Sequence, residues 1–181
     1  MMQTDKDVLD FWFGELTPAD WFSGDEVLDD LIEQRFLSLH NKAVLGELYT
    51  WRKSPQGRLA EIIVLDQFSR NLYRGKPQSF LSDPMALVLA QEAVALGEDM
   101  KLSEEQRSFL YMPYMHSESL VVHEEAVRLF KQSGLENNLD FEYRHKVIIE
   151  RFGRYPHRNK ILGRQSSEEE LEFLTQPGSS F

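Results

Sequence analysis

Cysteine is absent from all 181 residues. Disulfides, thiolate zinc sites, iron–sulfur clusters and cysteine nucleophiles are therefore excluded together, and a thiol redox role goes with them. Long hydrophobic runs are missing too. The longest, such as Ile62-Ile63-Val64-Leu65, fall far short of the roughly 20 apolar residues that a bilayer-spanning helix needs. Positive charge is scarce: 20 Lys and Arg stand against 30 Asp and Glu, a formal net charge of −10. That balance argues against a dedicated nucleic-acid binder, which carries a basic stripe. Neither glycine-rich phosphate loop, G-x-G-x-x-G or G-x-x-x-x-G-K-[ST], occurs. The opening MMQTDKDVLDFWFG has no basic leader ahead of an apolar run, so no signal peptide is expected and the cytoplasm is the expected location.

What is present suits a globular chain. Hydrophobic residues make up 41% and charged residues 28%, an ordinary soluble balance. A chain of this length buries roughly 70% of its unfolded surface without staples. One domain is expected over residues 1–175, with 176–181 as a flexible tail.

Helix signals recur along the chain. Thr4 and Asp7 have capping-box spacing ahead of Val8, Leu9, Phe11 and Trp12, with Gly14 as a stop. Residues 25–45 repeat apolar positions at helical spacing. Ser54-Pro55 and Asp83-Pro84 each read as a cap followed by proline, opening helices that Gly75 and Gly97 close. Ser103 with Gln106, and Ser167 with Glu170, form further capping boxes. Pro113 predicts a break after Tyr111. Further helices are expected from about Ser117 to Gln132, ending at Gly134, and from an Asp140 cap to Gly153. A short turn follows Pro156 and ends at Gly163. The pattern predicts an all-α fold of eight or nine helices in antiparallel pairs, without a strand or an internal repeat.

Charge is unevenly spread. Residues 1–50 hold eleven acids and three bases, whereas 151–164, RFGRYPHRNKILGR, holds five Lys and Arg and no acid. Two other stretches share its chemistry, DQFSRNLYRG at 66–75 and PYMHSES at 113–119. Asp66, Arg70 and Arg74 fall at i, i+4 and i+8 on one helical face, so Asp66 can pair with Arg70. Clustered guanidinium groups suit bidentate capture of carboxylate or phosphate. Buried arginines need counter-ions, and Asp66 and Glu118 are the internal ones on offer. The candidate ligand-binding set is Asp66, Arg70, Asn71, Arg74, Arg154, Arg158 and Asn159. The candidate acid/base groups are His116, Glu118 and His157, with Glu118 orienting a histidine. Ser117 beside His116 is no nucleophile pair, since no glycine elbow flanks it. His116, Glu118, His123 and Glu124 lack H-E-x-x-H spacing, so no metal and no cofactor is expected. The same arginines could equally be structural, tying a loop to helix carbonyls and carboxylates.

In order and spacing, LDQFSRNLYRG, YMPYMHSE and RFGRYPHRNKILGR resemble the signature blocks of the bacterial family catalogued as domain of unknown function 924. DVLDFWFG fits it as well, and the blocks span roughly residues 55–170. The usual pattern has proline at Ser69 and phenylalanine at Tyr114 and Tyr155; the charged positions match. The resemblance implies an all-helical fold similar to tetratricopeptide-repeat arrays, and it implies no activity. The expected function is a binding module with an arginine-rich pocket for a small anion or an acidic peptide. The alternatives are an enzyme on a small anionic substrate with a histidine acid/base, and a structural or assembly protein, with a homodimer as one form.

Overall fold

A computed structural model describes residues 3–181. Residues 1 and 2, part of the expected domain and of the leader reading, lie outside the described residues. The fold is all-α, in a single domain, and no strand occurs among the described residues. Helix α1 covers residues 5–15, an α-helical part Asp5–Asp10 running into a wider π-helical turn, Phe11–Glu15. It is followed by α2 (Pro18–Trp21) and α3 (Glu26–Val44). Helix α4 covers residues 55–72 and contains a second π turn, Val64–Phe68. A single turn, Gln78–Leu81, leads into α5 (Asp83–Ala95). Then come α6 (Glu104–Met115), α7 (Leu120–Phe130), α8 (Glu136–Phe152) and α9 (Glu168–Phe173).

The caps read from sequence form where their chemistry puts them. Thr4 with Asp7, Ser103 with Gln106 and Ser167 with Glu170 each make both bonds of a capping box. Ser54 accepts from the Gly57 N–H and Pro55 occupies the first helical position. Gly153 ends α8 at φ 67°, a left-handed geometry that a Cβ disfavours. Three boundaries differ from expectation. Pro113 does not break its helix: α6 runs on to Met115, with the proline buried inside it. A proline so near the C-terminus removes one ladder bond, and packing holds the last turn. Helix α7 starts at Leu120 after Ser119, later than Ser117. Helix α8 starts at Glu136, so Asp140 lies inside it and pairs with Arg144 instead of capping.

Helix α4 is the axis of the core. It touches α1, α3, α5 and α6. Leu59, Ala60, Ile62, Ile63, Val64, Leu65 and Phe68 are all fully buried, the pattern of a helix that is apolar all round. Phe68 meets Trp12 at 5.7 Å and Phe36 at 4.9 Å between ring centroids. The two π turns let Phe11 and Trp12, neighbours in sequence, both enter this core, and leave Asp66 buried on the far side of α4. Consecutive helices α5, α6, α7 and α8 pack in series. A second, smaller core gathers Ile148, Ile149 and Tyr155, with Phe152 and Phe173 packed on it. It joins the 151–164 stretch to α8 and α9.

The start of α4 packs without spare room. A Cβ on Gly57 would sit 2.1 Å from the Trp51 carbonyl oxygen. Gly57→Ala is therefore expected to cost about 1–3 kcal/mol, measured by urea denaturation. Leu171→Ala, on the exposed face of α9, should stay within about 0.5 kcal/mol.

Candidate functional site

The three signature stretches meet around one charged group. Asp66 leaves the π turn of α4 fully buried. Its Oδ1 accepts from His116 Nδ1 at 2.7 Å and from Arg70 Nη1 at 3.2 Å, and its Oδ2 accepts from Gln67 Nε2 at 2.6 Å. Arg70 turns its fork to Asp83 at the start of α5, with bonds of 2.9 and 3.0 Å. Arg158 comes from the third stretch. Its Nη2 donates to the His116 carbonyl at 3.0 Å and its Nη1 lies 3.5 Å from Asp83 Oδ2. The Arg158 guanidinium stacks over both Phe80 and Tyr155, 4.6 Å from each ring centroid. Two arginines and two aspartates thus alternate around the junction of α4, α5, α6 and the 155–158 turn.

Electrostatics set the protonation of this group. Burial alone would raise Asp66; Arg70, then His116, overcome it and hold the carboxyl well below the usual range. Burial, followed by the Arg70 charge, pushes His116 down against the pull of Asp66. His116 is thus a neutral imidazole at pH 7, with its Nδ1–H on Asp66 and its Nε2 bare. Its side chain keeps 16% of its surface exposed. Burial and then Arg70 also press Arg158 below the ordinary arginine value. Arg158 is only 7% exposed, yet its Nε has no hydrogen-bond partner. The buried Nδ1 of neighbouring His157 has none either.

The other sequence candidates lie in separate networks. Asn71 and Arg74 both turn away to Asp29 on α3, at 2.8 Å and 2.6 Å. Arg154 grips Glu170 with two bonds, of 2.6 and 2.8 Å, and that pairing holds Glu170 down to about 2. Asn159 bonds Ser166 and accepts from Arg164, while Arg164 is bidentate to Glu118. Glu118 also accepts the Tyr155 N–H at 2.7 Å. The acid that orients His116 is therefore Asp66; Glu118 is committed to the loop. Among the described residues no group of three or more His, Asp or Glu could hold a metal ion. Nor is any helix there long and apolar enough to cross a membrane.

Beside this junction, three of the five histidines surround Tyr155. His123 is fully buried between Glu142 Oε1 at 2.6 Å and the Ser117 carbonyl at 2.8 Å. A carbonyl only accepts, so His123 Nε2 carries a proton, and the Nδ1–Glu142 contact holds a second one. Burial raises Glu142 and favours placing that proton on the carboxyl. The Tyr155 hydroxyl donates to the Met115 carbonyl at 2.6 Å. The Ser69 hydroxyl likewise donates to the Leu65 carbonyl at 2.6 Å and receives His40 Nε2 at 2.8 Å. The Tyr155 and Ser69 hydroxyls are thus both used internally. His145 and His157 flank Tyr155 at 5.9 and 5.6 Å between centroids.

Sequence reasoning missed Asp83, which it read only as a cap, and Phe80, His145 and Phe181. Asp83 stands at the first position of α5, but its carboxylate goes to Arg70, and no side-chain cap bond forms at that helix start. Residues 176–181, expected as a tail, fold back so that Phe181 lies against His145. Two surface clefts lie elsewhere. One, of about 410 Å³, lies over α1 beside Gln56 and Gln106. The other, of about 480 Å³, lies between α5 and α7. Neither is lined by Asp66, Arg70, Asp83, His116 or Arg158, and neither gathers convergent buried donors.

The family described as "Bacterial protein of unknown function (DUF924)" matches residues 8–178. The chain belongs to this family. The match takes in all three stretches and both aspartates of the DUF924 junction. A solved structure of a protein of unknown function from Agrobacterium tumefaciens is 37% identical, with a TM-score of 0.89, over 94% of this chain and 96% of that one. No curated protein matches the chain.

The buried histidines predict a pH dependence. Burial holds His145 down to about 3; burial and then Arg158 hold His157 down to about 4. In the unfolded chain both take a proton near 6.5. Below that pH the unfolded state binds more protons, so stability is complete above pH 6.5 and falls as pH drops toward 4. The loss should approach about 1.4 kcal/mol per pH unit for each histidine. Urea midpoints between pH 7.5 and 4.5 measure it, and His157→Asn should flatten the slope.

Proposed function

We propose that this DUF924 protein is a helical binding module, an array of the tetratricopeptide kind, that takes a small anion or an acidic side chain at the Arg158 junction. One observation carries the reading: a guanidinium more than nine-tenths buried has an N–H with no acceptor. Such a group costs free energy unless something accepts from it. A carboxylate or phosphate supplies the missing acceptor, and Arg70 and His116 stand beside it. In this reading Arg158 and Arg70 attract the anion, while His116 and His157 orient it. Arg151, Arg154 and Arg164 act as a clasp, each answered by a glutamate, Glu169, Glu170 and Glu118. Asn71 and Arg74 tie α4 to α3 and stand apart from the ligand. The compartment proposed is the cytoplasm.

A thermal-shift titration against phosphate and dicarboxylates tests this. An anion at about 100 times its Kd should add about 2.7 kcal/mol of stability. Arg158→Ala should abolish the shift, and Arg154→Ala should retain it. A shift of equal size in Arg158→Ala would overturn the assignment.

The pairing of Asp66 and His116 favours a second reading, an enzyme on a small anionic substrate. A buried carboxylate holding Nδ1–H leaves Nε2 bare to take a proton from water or a hydroxyl. His116→Ala should then lower hydrolysis of an anionic ester by about 10²–10⁴. The rate in the parent protein should decline as acid protonates His116. A pH–rate profile unchanged by the substitution would exclude it.

A further inference from the structure

The last residues of the chain do something the charged junction does not explain. After α9, Gly178 at φ 75° turns the backbone back. Ser179 is buried and its hydroxyl donates to the Leu174 carbonyl at 3.3 Å. Phe181 then lays its ring nearly parallel to the His145 imidazole, 3.7 Å between centroids at 24°. It also meets His157 edge-on at 6.2 Å. Tyr155 lies beside both histidines, and Phe181 covers one side of this cluster, in an open niche that has His145 and His157 as walls. Phe181 is nonetheless 53% exposed. The segment is held there by one weak side-chain bond, one stack and one edge contact. A stack of this kind contributes roughly a factor of two to ten in an equilibrium, so the niche opens readily.

The niche borders the anion site. His157, one wall, precedes Arg158 in sequence and has a bare buried Nδ1. Tyr155, beside both walls, is the ring on which the Arg158 guanidinium stacks. We propose that the niche of His145 and His157, beside Tyr155, is a ring-binding subsite of the Arg158 site, and that Phe181 is its internal occupant. The ligand class is then a small aromatic acid, a planar ring carrying a carboxylate or phosphate. The ring displaces Phe181 from His145, and the acid supplies the acceptor that Arg158 lacks. The inference rests on the anion-binding reading and adds the second half of the ligand.

Calorimetric titration with matched probes tests it: inorganic phosphate against phenyl phosphate, and acetate against 3-phenylpropionate. Phe181→Ala removes the competitor from an exposed position, so the variant should fold as the parent does. Its affinity for phenyl phosphate should rise about fivefold while that for inorganic phosphate stays fixed. His145→Ala should remove the preference for the aryl probe. An independent readout is carbethoxylation of His145 by diethyl pyrocarbonate, followed by mass spectrometry; it should run several-fold faster in Phe181→Ala. If that rate is unchanged, Phe181 does not cover the niche and the proposal falls. If Phe181→Ala changes aryl and inorganic anions alike, the subsite falls and the anion site stands. If no probe binds any variant, the anion reading itself fails and takes the subsite with it.

Discussion

The structure turns on the pairing of Arg70 and Arg158 with Asp66 and Asp83. Each of these charges would be costly to bury alone, and Arg158 is 7% exposed. They can be buried together because alternation gives every charge an opposite neighbour. That alternation requires α4 to deliver Asp66 and Arg70, α5 to begin at Asp83, α6 to end at His116, and the 155–158 turn to return Arg158 to the same spot. Four segments far apart in sequence are thereby fixed to one another. Removing one aspartate would strand a guanidinium, and the cost would spread to every segment that the guanidinium holds.

The arginines of the third stretch divide by how fully their donors are used. Arg164 is bidentate to Glu118 and also reaches the Tyr155 carbonyl. Arg154 makes two bonds to Glu170 and one to the Gln165 carbonyl. Both satisfy the geometry of a structural clasp and leave little to offer a ligand. Arg158 is the exception: the most buried of these arginines has an N–H left over. Burial and incomplete satisfaction rarely coincide in a purely structural ion pair, whereas an abundance of positive charge alone marks no site.

Much of this was legible in the sequence. Capping boxes at Thr4, Ser103 and Ser167 are local devices, set by residues three apart, and they formed as read. The burial of α4 followed from its apolar positions, and the Asp66–Arg70 pair from i, i+4 spacing. Other features were decided at a distance. Asp83 has the local chemistry of a cap, but a guanidinium thirteen residues earlier took its carboxylate. Asn71 and Arg74 look like members of the same cluster as Arg70, yet Asp29, forty-odd residues upstream, claims both. Pro113 is a helix breaker by local rule and was overruled by tertiary packing. The contact of Phe181 with His145 left no local trace, because nothing in QPGSSF marks which surface it meets.

The π turn at Val64–Phe68 has a consequence for how this family can vary in length. A π turn carries one residue more than the α-helical turn it replaces. Its wider turn rotates less per residue than the roughly 100° of an α-helix, so it absorbs the extra residue and the segments before and after it keep the facing of an uninterrupted helix one residue shorter. Upstream of the turn, α4 is bound to the core by Leu59, Ile62 and Ile63; downstream, Arg70 must face α5 while Asn71 faces α3. A single-residue deletion within 64–68 would leave an unbroken α-helix with Arg70 still turned toward Asp83, and would re-aim only the side chains inside the turn, Asp66 among them. The extra residue therefore acts locally, on where Asp66 is aimed, and not on the facing of the helix beyond it.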